Sequence, residues 1–564
     1  MNTDTIVIGY SPRGIRKSFQ NKISRFDSSH LVKTDLGDSF IAFGSQIEKV
    51  KTREGGTRLI CGRSMGVDKR GSLSYDKLKN IVGSCVIIDI PNSIHLYTDP
   101  FNKIILYYVK VEETVIISND LTALRQFIDV KLNVNSTQLI HHLIHSIPFN
   151  DDTLFKEIKT LPAHSIVQLS PQMLISSYIP ISFFKNENEH VYERKTRIKN
   201  RFESNIDLVY KSYRKPFLTL TAGNDSRLML ATMLNHGEVA SFTWGEETND
   251  DVIIASRLSK MTNSDHYLIS IDEIKNGLNN IITSGYDLGL NHRIAGKLKH
   301  TFLLNEVMKK LAGSMQYDVE INGVGGELLR AFYHGRISKG NRSNFYKDIG
   351  HHSRLEVLKK VGLFTKGEIE NYVEWYDLGI KENSETLELN DDEYAEYIVH
   401  EYRFSKAWSS RYAASKMNNV DTVYPFLNLA LLEDVYKLPT ECKTRNKLVI
   451  EMIRRINRKM LQIPINGIDY RLARKIYNRI IGKKHQFKST SDLANELLHG
   501  KVIQELGVKL IGDSFTQYHG VSNGNEGKIY DTLRNELKSQ LVFRVIYAFE
   551  FINSYRHGKN VIDG

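Results

Sequence analysis

The stretch Phe217–Leu234, FLTLTAGNDSRLMLATML, changes character in its middle. FLTL is short, apolar and extended in character, as a buried strand is. From Arg227 onward, Leu228, Leu230, Ala231 and Leu234 supply an apolar helical face, which Asn235, His236 and Gly237 bring to a stop. Between the two lies TAGNDS. With SFTWG (Ser241–Gly245) as the next parallel strand, the pattern predicts strand, tight loop, helix, strand. In such a unit the first helical amides have no intrahelical acceptor, and with the helix dipole they form an anion site best suited to phosphate. Thr221, Ala222 and Gly223 are small enough to let the backbone approach a ligand closely. Asp225 sets a carboxylate beside that phosphate, an arrangement that makes sense where Mg²⁺ bridges the two. The lysine and spacing of a Walker A loop are absent. Taken alone, these six residues read equally as a plain strand-to-helix turn with Asp225 or Ser226 as N-cap.

The bulk properties frame that choice. A chain of 564 residues exceeds a single core, so two domains or more are expected. Hydrophobic content of 41% and charged content of 25% describe a soluble globular protein and exclude disordered and fibrous classes. The opening MNTDTIVIGYSPRG lacks the basic flank and apolar run of a secretory signal, and no apolar segment reaches the ~18 residues of a membrane span. Cys61, Cys85 and Cys442 are widely spaced, which suits free thiols in a reducing compartment and offers no zinc knuckle; a cytoplasmic location follows as the expectation. Much of the net charge of +11 lies in Arg471–Lys488, RLARKIYNRIIGKKHQFK, read as a solvated helix face. Aromatic residues are not interleaved there as a nucleic-acid platform would require, so no nucleic-acid partner is expected.

TAGNDS resembles the SGGxDS pyrophosphate loop of the ATP-pyrophosphatase superfamily, and other stretches narrow the likeness. Gly83–Tyr108 (GSCVIIDIPNSIHLYTDPFNKIILYY) and Val115–Phe127 (VIISNDLTALRQF) resemble segments of asparagine synthetases and other class II amidotransferases. Asp151–Leu169 (DDTLFKEIKTLPAHSIVQL) is similar to their TLF-x-x-I-x-x-LPPG stretch. Ile321–Tyr333 (INGVGGELLRAFY) looks like their second nucleotide loop, and Tyr424–Pro439 followed by NKLVIEMIRR resembles the late PFLD…LP…K-x-x-LR segment. These matches are collinear. The resemblance implies an Ntn-type αββα sandwich over residues 1–190, a parallel-sheet, Rossmann-like ATP-pyrophosphatase domain over 191–470, and a helical C-terminal extension over 471–564. It also implies an enzyme that uses ATP and Mg²⁺ to adenylate a carboxylate, releasing pyrophosphate, after which a nitrogen nucleophile displaces AMP.

Departures from the family shape the functional expectation. The family's glutaminase nucleophile is a cysteine after Met1; here that position is Asn2, whose amide cannot attack a carbonyl. Cleavage before Thr3, exposing a threonine nucleophile, is the alternative. As in β-lactam synthetases and lasso-peptide cyclases, the nitrogen would come from an amine on the substrate, from ammonia, or from a separate glutaminase. In the second loop, Gly326 stands where the family carries a metal-linked aspartate when the match is anchored on Glu327. A one-residue gap instead aligns Gly323-x-Gly325 with the family glycines.

The resemblance assigns the backbone of Thr221, Ala222, Gly223, Asn224, Asp225 and Ser226 to the triphosphate and Asp225, with Glu327, to Mg²⁺. It sets Thr219 and Trp244 beside the adenosine, Asn322 and Gly323 near the ribose or α-phosphate, and Lys447 on the departing pyrophosphate. Glu401, Tyr402, Arg403 and Arg411 fall where the acceptor pocket would be lined. His141 and His145, four apart on one helix face, have a zinc-like spacing but read as packing residues, since no third ligand is near in sequence. The expected function is amide formation on a small-molecule, sugar or peptide carboxylate without intrinsic glutaminase, in polysaccharide or natural-product tailoring rather than asparagine biosynthesis; a homodimer is an open arrangement. Two alternatives stand: a silent binding or scaffold protein, and a tRNA-modifying ATP-pyrophosphatase.

Overall fold

The structure is a computed structural model that describes residues 6–11, 31–33, 40–44, 47–90, 94–145, 150–170, 173–179, 181–183, 190–270, 317–331, 334, 351–385, 389–404 and 420–463. Asn2, Thr3, Arg411 and the tail from 464 onward, with its basic stretch, lie outside the described residues.

The N-terminal half is built from two antiparallel sheets of six strands each. One runs in the order Ile158–Thr160, Tyr107–Val111, Thr114–Ser118, Ile6–Tyr10, Phe40–Gly44, Leu31–Lys33. The other runs Met173–Tyr178, Ser165–Ser170, Ile94–Tyr97, Cys85–Ile90, Thr57–Gly62, Ile47–Lys51. Because side chains alternate along a strand, each sheet has two apolar faces to cover. Ile6, Ile8, Val115 and Ile117 meet Leu59, Val86, Ile88 and Val167 between the sheets. Val7 and Ile116 point the other way, onto the helices Leu121–Phe127 and Ser136–His145, while Ile60, Cys85 and Ile87 face Leu78 of the short helix Tyr75–Lys79. Helix, sheet, sheet, helix is the layering expected of the sandwich. All three cysteines are free thiols, and Cys61 and Cys85 are buried in this core.

The second half is a parallel sheet of five strands in the order Asp265–Ser270, Ala240–Gly245, Pro216–Thr219, Val319–Ile321, Asp421–Val423. Phe217, Leu218, Phe242, Val319 and Ile321 bury its inner strands, as in other covered parallel sheets, while the edge strand Asp265–Ser270 is partly exposed. The helix Asn224–Met233 starts three residues before the apolar periodicity becomes legible at Arg227, and its N-cap is Gly223 rather than Asp225 or Ser226. The amphipathic helix Lys447–Asn457 packs along it through Leu448, Val449, Met452 and Ile453. Among the described residues no helix is long and apolar enough to cross a membrane.

One apolar cluster passes from the sandwich helices through to the helices over the parallel sheet, joining Leu139 and Leu143 to Leu358, Tyr372, Leu431 and Ile453. His141 and His145 belong to this seam: the His145 ring stacks on Tyr376 at 5.1 Å and His141 lies edge-on to Trp375 at 5.4 Å. Polar ties reinforce the seam, including Lys79–Glu433 at 2.8 Å and the Asn428 amide donating to the Ile81 carbonyl at 3.1 Å.

Glu320 is fully buried in the middle of the parallel sheet, on the strand Val319–Ile321. Its carboxyl accepts from the Thr219 hydroxyl on one neighbouring strand, from Thr422 Oγ1 on the other at 3.1 Å, and from Asn322 Nδ2 at 2.8 Å. Removing such an acceptor strands its buried donors, each at a cost of about 1–3 kcal/mol. Glu320→Ala is therefore expected to lower the unfolding free energy by at least about 3 kcal/mol, and Glu320→Gln, which keeps an acceptor, by about 1 kcal/mol. Chemical denaturation of the two variants checks this; equal losses would mean that the hydrogen bonds contribute little.

Candidate functional site

In a doubly wound sheet, the crevice that receives ligands lies beyond the carboxyl ends of the strands where the strand order reverses. The reversal here is between Pro216–Thr219 and Val319–Ile321. The TAGNDS loop leaves the first of these strands and the segment Asn322–Gly326 leaves the second, so the two expected nucleotide loops face one another.

The first loop is braced by its own side chains. The Thr221 N–H donates to Ser226 Oγ at 3.1 Å and the Gly223 N–H to Thr221 Oγ1 at 3.2 Å. The Ala222 N–H donates to Asp251 Oδ1 at 2.9 Å, so an acid in the first turn of the helix Asp250–Thr262 already occupies one amide of the cradle. Gly223 provides no side-chain cap to the helix it begins. Asn224, the first helical residue, is completely buried, yet neither polar atom of its side chain has a partner. A buried amide without partners is costly in a finished fold and sensible where a ligand completes it.

Asp225 stands at the centre. Its Oδ2 accepts from Arg330 Nη2 at 2.6 Å, while its Oδ1 is buried and has no partner. Burial pushes the carboxyl up to about 6; the Arg330 guanidinium pulls against that shift and the Glu327 charge adds to it. Glu327 is half-buried and accepts the Gly325 N–H at 3.1 Å. A divalent cation fits these residues, because Mg²⁺ usually takes one or two carboxylates and completes its shell with phosphate oxygens and water.

Gly326 has no room for a side chain. A Cβ built there would lie 2.3 Å from Asp225 Cγ, so no side chain fits while Asp225 stands as it does. Four residues after this glycine the chain places an arginine on Asp225. A guanidinium brings permanent positive charge to the place where an additional carboxylate would have helped to hold metal.

The remaining assigned residues divide. Thr219 and Asn322 lie at the ends of adjacent strands, but their side chains are engaged with Glu320, and Asn322 Oδ1 also accepts the Val324 N–H at 3.1 Å. Gly323 lies close to Asp225, a built Cβ being 3.4 Å from the Asp225 Cβ. Trp244 is half-buried toward the carboxyl end of its strand, opposite Ile269. Lys447 opens the helix that packs on the first loop's helix, but it is exposed and donates to the Glu441 carbonyl at 3.0 Å, with no bond to Asp225. Glu401 pairs with His164 of the sandwich at 3.0 Å. The side chains of Tyr402 and Arg403 lie outside the described residues.

Three participants were not singled out from sequence: Arg330, Asp251 and Glu320. Glu320 had a signal, an acid inside the apolar run VEI. Asp251 and Arg330 had none that spacing reveals, because their partners are 29 and 105 residues away.

No protein-family model matches the sequence, and no curated protein does. Among solved structures, the chain is similar to NMN synthetase from Francisella tularensis, with 15% identity over 40% of this chain and 97% of that one, at a TM-score of 0.22. It is also similar to glutamine phosphoribosylpyrophosphate amidotransferase from B. subtilis, solved with ADP and GMP, with 8% identity over 47% of this chain and 59% of that one, at a TM-score of 0.18. An allosteric regulatory enzyme of purine biosynthesis matches with 8% identity and the same coverage, at a TM-score of 0.19. Likenesses this distant carry no argument about activity, and the fold rests on the sheet topology.

Two outcomes follow from the geometry. Gly326→Ala is expected to cost about 1–3 kcal/mol by overpacking against Asp225, read as a lower denaturation midpoint. Asp225 has its folded pKa raised from 3.8 to about 6, so its contribution favours the fold below pH 4 and is lost as pH rises through 6. Relative to Asp225→Asn, the wild type should lose up to about 3 kcal/mol of stability between pH 4 and pH 7. Parallel stability–pH curves for the two proteins would contradict this.

Proposed function

We propose that the protein is an ATP-dependent amide-forming ligase that adenylates a carboxylate, releases pyrophosphate, and passes the acyl group to ammonia or an amine. The observation that supports this most is the incomplete polar site at the switch point, where the buried Asn224 amide and Asp225 Oδ1 lack partners beside the Arg330 guanidinium. In this reading the first-turn amides after Gly223 and the Asn224 side chain bind phosphate oxygens. Asp225, with Glu327, would hold Mg²⁺, which supplies charge neutralisation to the triphosphate. A substrate carboxylate oxygen attacks the α-phosphorus, and the bond to the bridging oxygen breaks, with its electrons leaving on pyrophosphate. Arg330 stabilises that leaving charge, a role in which a fixed guanidinium suits phosphate oxygens. The nitrogen then attacks the acyl carbon, AMP departs, and the nitrogen gives up its proton. With Asn2 at the family's nucleophile position, nitrogen comes from outside the chain or from the substrate itself.

A second reading has an observation of its own. Asp251 occupies the Ala222 amide and Arg330 occupies Asp225, so the protein's own charges fill part of the cradle. A nucleotide-binding protein without turnover would look the same.

The two separate in one experiment with paired readouts. Under the first reading, Mg-ATP at a hundred times its dissociation constant adds about 2.7 kcal/mol of stability. Asp225→Ala removes most of this, and a carboxylate screen with ammonia or amines finds AMP release. Nucleotide stabilisation with no AMP from any carboxylate would select the silent binder, and absence of both would end both readings.

A further inference from the structure

A different cluster lies on the seam between the two halves and is independent of the nucleotide reading. We propose that His164, His400 and Glu401 form a site for one divalent transition-metal ion of the zinc type, with ligands from both halves of the chain. One ligand atom from each residue lies within 4.8 Å of the others, and His164 Nε2 is 3.0 Å from Glu401 Oε1. Two metal bonds of about 2.0–2.1 Å meeting at a tetrahedral angle span about 3.3 Å, so this pair already has the spacing of a coordination edge. The third ligand closes the site by an approach of at most about 1.5 Å.

Three local features serve that arrangement. His164 ends Leu161-Pro162-Ala163-His164 with a left-handed backbone, φ 39°, a conformation that favours glycine. A histidine held there is strained by of order 1–3 kcal/mol, and strain of that kind gathers at ligand and catalytic sites. His400 and Glu401 are adjacent in sequence and would diverge by about 100° on a regular α-helix. They lie on the π-helical turn Val399–Phe404, a distortion that occurs frequently at functional sites. The Nδ1 of His400 is 2.9 Å from the Tyr436 hydroxyl, so with that N–H donating to the phenol oxygen, Nε2 is left to ligate.

The surroundings suit a metal as well. Phe101, Phe183 and Tyr436 surround the His400 ring with centroids 5.6, 5.8 and 5.7 Å away. The Glu401 side chain retains 18% of its exposure, which gives an ion a way in. Two imidazoles and one carboxylate form a donor set used by zinc, with room for water or a substrate atom as the fourth ligand.

The test uses the full chain, stripped with a chelator and dialysed, then titrated with Zn²⁺ by calorimetry and with Co²⁺ by absorbance. The expected result is one tight equivalent, cobalt d–d bands of tetrahedral intensity, and a metal-dependent rise in the melting temperature. His164→Gly supplies the residue suited to that backbone while removing a ligand. It should lose the tight equivalent and the thermal rise, yet melt no lower than the wild type when metal-free. Glu401→Gln, nearly isosteric, should weaken zinc at least tenfold. The proposal is overturned if the wild type takes up no stoichiometric metal, or if both variants bind Zn²⁺ and Co²⁺ as the wild type does. In either case the three side chains serve only as packing and hydrogen bonding across the seam.

Discussion

A carboxyl group in the middle of a parallel sheet is an expensive thing to bury, and the way Glu320 is accommodated sets the geometry of everything around it. Its oxygens collect the Thr219 and Thr422 hydroxyls from the strands on either side and the Asn322 amide just past the end of its own strand. Those bonds fix the ends of three adjacent strands at one height. The two loops that leave these ends are then held opposite each other, which is the condition for any ligand to bridge them. A slip of one residue in this sheet would turn Glu320 and its partners away from one another, so the register and the crevice are specified together.

Within the crevice, a balance of charge replaces a symmetric pair of acids. Asp225 is buried enough to resist ionisation, Glu327 increases that resistance, and Arg330 opposes it. Gly326 belongs to the same crowding: the Asp225 carboxylate, held by Arg330, fills the volume a side chain would need. The crevice is thus internally consistent in packing and charge. Its bracing hydrogen bonds within TAGNDS are intact.

Much of this was legible in the sequence, and the remainder failed for identifiable reasons. FLTL, TAGNDS and SFTWG announced strand, loop and strand because burial and turn chemistry act over a few residues. The start of the helix at Asn224 was obscured because Asn, Asp and Ser read as capping residues, whereas Gly223 takes the cap and the polar residues form the first turn. Arg330 was in view within INGVGGELLRAFY, but its meaning depends on an aspartate 105 positions earlier. His164 and Glu401, 237 positions apart, belong to different halves and meet only when the seam closes. Local patterns gave the elements; the pairings needed three dimensions.

The shared apolar seam has a further consequence. Because Leu139, Leu143, Tyr372 and Ile453 belong to one continuous buried cluster, neither half possesses an outer surface of its own along that boundary. Cutting the sandwich away would bare a greasy wall on what remained, so the two halves are bound to persist together. The sandwich therefore serves the parallel-sheet half as a buttress, whatever chemistry either half carries.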